Sequence, residues 1–159
     1  MNENMKTLPK YQEGVFKAIS IGFFLLLVGA IFVVTPDLFG EIIDFFGDFS
    51  LVKVPHTDIY FPAPQIPRQH LTFYQAVGQF SVAWSVFLVI VLALRFVFPS
   101  SWAKRSETMG DLIFWAGTGF LIQSFLVENT EWFIFWSTIL ILIGVSLIVR
   151  AAVMAISRL

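Results

Sequence analysis

Four runs of apolar residues, at about 15–34, 72–98, 110–127 and 132–152, decide what this chain can become. Each approaches or exceeds the ~18–20 residues that an α-helix needs to cross about 30 Å of hydrocarbon. A backbone in lipid has to satisfy its own N–H and C=O groups, and a helix does so within one segment. The expectation is therefore an all-α integral membrane four-helix bundle, a single membrane domain over 1–159. Charge content agrees, since 13% of residues are charged against about 25% in a soluble domain. The basic start of the first run resembles a signal peptide. Its apolar core is too long for one and no small-x-small site follows, so it reads as an uncleaved signal-anchor.

The one long stretch unsuited to hydrocarbon lies at 36–70. On a wheel of about 100° per residue, Asp37, Glu41, Asp44 and Asp48 fall within about 60° of one another. Leu38, Phe39, Ile42, Ile43, Phe45, Phe46 and Phe49 fill the opposite arc. Thr35 suits an N-cap and Pro36 the first helical position. A helix over about 36–49 is too short to span, so it is expected to be interfacial, aromatic face down and acids up. From 50 to 71 the chain carries Pro55, Pro62, Pro64 and Pro67. That spacing favours a proline-rich outer loop of extended, polyproline-like backbone over helix or sheet. A polar loop at 100–109 and a tight turn at 128–131 join the later spans.

The basic residues divide unevenly between the two ends. Lys6, Lys10, Lys17, Arg95, Lys104, Arg105, Arg150 and Arg158 fall on one side, and only Lys53 and Arg68 on the other. The positive-inside rule then predicts a multi-pass protein of the cell membrane with both termini cytoplasmic and the 36–70 stretch outside. Lys17 and Arg95, near span ends, are expected to snorkel.

Residues for chemistry are sparse. The acidic stripe matches no EF-hand spacing and reads first as a solvated face. His56, Asp58 and His70 are metal-ligand types, but their spacing matches no known signature. Ion-coupled transport usually needs Asp, Glu or His near the midplane, and none sits there. Gln79 and Gln123 are the deepest strongly polar groups and read as hydrogen-bonders between helices. No proline breaks a span. There are no cysteines, no axial histidine within a span, and no basic cluster for nucleic acid. The sequence thus assigns no catalytic, cofactor-binding or metal residue, and no cofactor. Trp102 and Trp132 are expected at the interfaces, with Trp84, Trp115 and Trp136 packed deeper.

Small residues recur every seventh position in the last two spans, as Gly110, Gly117, Ser124 and as Ser137, Gly144, Ala151. That repeat predicts a close left-handed seam through both series. The function expected is a non-enzymatic structural or accessory component in the lipid bilayer, presenting its outer segment to a membrane protein partner or a second copy. The alternative is a small oligomeric transporter or channel. A membrane enzyme using His56, Asp58 and His70 ranks third.

Overall fold

The computed structural model describes residues 4–156. Arg158 and the side chains of Lys6 and Lys10 lie outside the described residues. Four helical segments are long and apolar enough to cross a membrane: Glu13–Val34, Pro67–Val97, Trp102–Glu128 and Trp132–Ile156. The elements in order are α1 (Asn4–Val34), α2 (Leu38–Gly47), β1 (Phe49–Lys53), β2 (Tyr60–Pro64), a 3₁₀ turn (Pro67–His70), α3 (Leu71–Val97), α4 (Trp102–Leu121), a π-helical continuation (Ile122–Glu128) and α5 (Trp132–Ile156). Successive spans reverse direction and pack in sequence, α1 on α3, α3 on α4 and α4 on α5. One end of the spans carries α2 and the strands, and the other carries the start of α1 and the end of α5.

Three boundaries differ from the sequence expectation. Asp37, in the left-handed region at φ 51°, caps α2, so Thr35 and Pro36 precede the helix. The segment at 100–109 is no loop, because α4 begins at Trp102. Ser101 Oγ accepts from Lys104 N at 3.4 Å and Lys104 pairs with Glu107 at 2.7 Å, which together start the helix early. The π-helical turns were not legible at all. Their wider winding lets Ile122 and Leu126 bury together on one face.

The largest correction concerns the prolines. The expected extended loop is an antiparallel hairpin, pairing Phe49 with Pro64 and Lys53 with Tyr60. Gln65 N donates to Asp48 O and Val54 N donates to Ile59 O, which extends the ladder at both ends. Odd-numbered residues of β2 therefore turn their backbone toward β1. Pro62 and Pro64 share the even parity, so their missing N–H groups face away and cost the ladder nothing. At the tip, Thr57 N donates to Val54 O, with Pro55 second and His56 third in the turn at φ 63°. This is the type II arrangement, which proline at its second position favours. Pro67 opens the 3₁₀ turn.

Helix packing follows bulk against glycine. A Cβ on Gly119 would lie 3.0 Å from Val82 Cγ2, and one on Gly78 would lie 3.3 Å from Ile122 Cγ2. Between them Ser81 is fully buried and returns its hydroxyl to Val77 O at 2.8 Å. On the α4–α5 side, Gly110 and Gly117 sit against the side chains of Arg150 and Leu142. The predicted seam thus holds on α4 and fails on α5. Ser137 and Ala151 are exposed, and Gly144 has open space around it. The buried face of α5 is instead Trp132, Phe135, Ile139 and Ser146. Large side chains filling glycine notches gain more dispersion contact than two small faces would.

Aromatic rings fasten α1 to α3. Phe23 stacks on Phe87 at 4.2 Å, and Phe24 meets Trp84 edge-on at 5.8 Å. Arg95 does not snorkel. It is buried, directs Nη2 to Glu13 Oε2 at 3.3 Å and covers the Phe16 ring at 5.2 Å. Lys17 remains exposed. Arg150 pairs with Asp111, tying α5 to α4.

Candidate functional site

α2, the hairpin and the 3₁₀ turn form one module over the ends of α3 and α5, with a chamber beneath it. Asp48 fastens the module. Its backbone O accepts from Gln65 N at 3.1 Å. Its Oδ2 accepts from Ile66 N at 2.9 Å, and His70 Nε2 donates to the same oxygen at 2.9 Å. The Ile66 N–H, and after it the His70 imidazole, hold the Asp48 carboxyl below the usual carboxylate range. Asp48 therefore leaves the solvated stripe that the helical wheel assigns to it, while Asp37 and Asp44 stay exposed.

The same contact separates the three metal-ligand types. His70 is buried below α2 at 3% exposure. Asp58 is at the hairpin tip, paired with Lys53 at 2.8 Å, and His56 is in the tip turn. The fold keeps His70 apart from the other two, and no cluster of three such residues occurs among the described residues.

Aromatic packing anchors the underside. Phe45 is buried and its ring touches Phe73 at 4.5 Å, Phe49 at 5.1 Å, His70 at 5.4 Å and Trp132 at 5.9 Å. Trp132 Nε1 donates to Pro62 O at 3.4 Å, using the carbonyl that the parity of β2 turns outward. The apolar arc of α2 is thereby split. Leu38 and Phe45 are buried, while Phe39, Ile43 and Phe46 stay exposed. On the hairpin, Leu51, Ile59, Tyr60 and Phe61 are also exposed.

The chamber below has a volume of about 810 Å³, within the range of about 300–1,000 Å³ that holds small molecules. α3 contributes Phe73, Tyr74 and Val77, α4 contributes Phe114, Trp115 and Thr118, and α5 contributes Phe135, Trp136 and Ile139. Phe45, Phe49, Phe61 and Pro62 roof it. Among the described residues no charged side chain lines it. Tyr74 and Thr118 border it through their apolar atoms, and their hydroxyls, Tyr74 Oη and Thr118 Oγ1, are buried behind the wall with no hydrogen-bond partner. Such a group costs about 1–3 kcal/mol when it goes unmatched. Neither residue stands out in the sequence. The available signals were a tyrosine one position after Phe73 and a threonine one turn after Phe114 and Trp115, all inside otherwise apolar runs.

The two glutamines lie elsewhere. Gln79 and Gln123 are exposed and border a separate space of about 610 Å³ on the other face of the α3–α4 contact. Gln123 Nε2 donates to Glu128 Oε1 within its own segment at 3.3 Å. The expected bond between helices does not form among the described residues. Comparison with known protein families, with curated proteins and with solved structures finds no match, so no residue role is carried over from a relative.

Proposed function

We propose that this chain is a non-enzymatic, multi-pass component of the cell membrane that presents the hairpin module, on the outer side, to a membrane protein partner or a second copy of itself. The observation that carries this reading is a fastened module with an unpaired edge. Asp48, Phe45 and Trp132 hold the module from three sides. Residues 49, 51 and 53 of β1 turn their backbone groups away from β2, by the parity of the ladder. A second strand can add there, as in other edge-pairing complexes. The outer edge of β2 cannot serve, because Pro62 and Pro64 offer no N–H. Exposed Leu51 adds apolar area beside the free edge. Contacts that already fasten the module lower the entropy cost of association.

In the same reading α2 lies at the membrane interface. Phe39, Ile43 and Phe46 enter the headgroup–acyl boundary, and Asp37 and Asp44 face water. The eight-to-two division of Lys and Arg sets the sidedness. Single cysteines at exposed Asp44 and exposed Ala103 test it with an impermeant thiol reagent in intact cells. Labelling at Asp44 alone is expected, and labelling at Ala103 alone would reverse the orientation. The presentation itself is tested by mild solubilisation and co-isolation from native membrane. A stoichiometric partner or second copy is expected with the natural sequence and lost with Leu51→Pro, which removes both an outward N–H and the exposed leucine side chain beside it. If neither is found with the natural sequence, the reading fails.

A further inference from the structure

We propose that Arg105, at the junction of α3 and α4, binds the phosphate of an anionic phospholipid in the leaflet that meets this end of the spans. Charge pairing at this end leaves Arg105 over. Glu13 pairs with Arg95 at 3.3 Å and also accepts from Ser100 Oγ at 3.1 Å. Glu107 pairs with Lys104 at 2.7 Å, and Asp111 pairs with Arg150. All three acids are thus engaged by other groups, and Arg105 has no carboxylate partner among the described residues. It is nevertheless held in place. Its Nε donates to Arg95 O at 3.0 Å. Its guanidinium lies over the Phe96 ring at 4.9 Å and over the Trp102 ring at 5.0 Å, contacts that favour a fixed cation. The terminal Nη groups have no hydrogen-bond partner among the described residues and are not buried.

The surroundings select the ligand. Arg105 lies one turn into the apolar segment Trp102–Glu128, beside exposed Phe96, Val97, Phe98 and Trp102. Aromatic residues at a span end mark the headgroup level of a bilayer. There a planar guanidinium offers a fork of N–H groups that matches two phosphate oxygens, while the exposed apolar residues meet the acyl chains. A zwitterionic lipid would add a cation beside its phosphate, and the acids at this end are already paired. A free phosphate would gain nothing from the apolar residues. Lys17 also lacks a carboxylate partner among the described residues, but it is exposed on α1 with no ring beneath it, so fixing it loses more rotamer freedom. Arg105 sits at the end of the spans opposite the module, so its ligand does not depend on the module's partner.

The full-length protein in neutral detergent can be titrated with phosphatidylglycerol and, separately, with phosphatidylcholine of the same tails, counting bound lipids by native mass spectrometry. Saturable binding of phosphatidylglycerol, about tenfold tighter than phosphatidylcholine, is expected, the worth of one charge-assisted hydrogen bond. Arg105→Gln should abolish the difference. Arg105→Lys keeps the charge without the fork and should narrow it. Lys17→Gln should leave it unchanged. Inorganic phosphate in excess should not displace the lipid, and displacement would make this a site for free phosphate and overturn the assignment. Equal binding of the two lipids by the natural sequence would overturn it as well. So would a preference that survives Arg105→Gln, or one that is undiminished in Arg105→Lys. A photoreactive phosphatidylglycerol places the site without any variant. Attachment to the natural sequence within residues 96–105 is expected, and attachment confined to other segments would contradict the proposal.

Discussion

Asp48→Asn keeps the shape of the side chain and removes the charge that Ile66 N and His70 share. The amides of Gln65 and Ile66 should then exchange faster with solvent, while Asp44→Asn, an exposed site, should change nothing. The same carboxylate gives the module a pH dependence. Its pKa is lowered in the folded state, so its stabilising effect is present in full well above the ordinary value of 3.8. The effect is lost as pH falls below 3.8 and through the lowered folded value. Exchange at Ile66 should rise over that acid window in the natural sequence and lose this step in Asp48→Asn. At the hairpin tip, His56 holds φ 63°, a conformation that disfavours an L side chain by about 1–2 kcal/mol. His56→Gly should therefore slow exchange of the Val54 amide, which is bonded to Ile59 O across the ladder. The helical wheel assigns Phe45 and Phe46 to one arc, yet only Phe45 is buried. Phe45→Ala should lower stability by about 3–5 kcal/mol, as for a core ring. Phe46→Ala should cost far less.

Among the elements, helix faces are where the sequence misleads most. A seven-residue repeat of small residues identifies a packing face on α4, because Gly110 and Gly117 receive side chains of α5. The matching repeat on α5 identifies nothing, since lipid accepts a small residue as readily as a neighbouring helix does. Thermal unfolding in detergent distinguishes the two. Gly117→Leu and Gly119→Leu should each destabilise by about 1–3 kcal/mol through overpacking, one against Leu142 and the other against Val82. Gly144→Leu should be silent. The hairpin was hidden for another reason. Proline counts against a strand only where its N–H is needed, and that depends on ladder parity, which requires the pairing partner to be known. Once β1 is set opposite β2, Pro62 and Pro64 fall on the permissive parity together.

Over the whole molecule, the spans were legible because lipid enforces length and apolarity on each one locally. Three of the four expected start points fall within about five residues of the observed apolar segments; the third segment starts earlier, at Trp102. The chamber was not legible. It exists only where three helices and the module meet, and its lining residues look like ordinary members of apolar runs. The module is likewise a long-range product, joining Asp48 to His70 across 22 positions and Pro62 to Trp132 across 70. Presentation of that module to a protein is most directly tested by photocrosslinking in native membranes. One photoreactive side chain is placed at Leu51, on the free edge, and another at Val89, exposed on the flank of α3. A discrete protein adduct of constant mass at Leu51, with only lipid adducts at Val89, is the predicted result. Lipid adducts alone at Leu51 would contradict it.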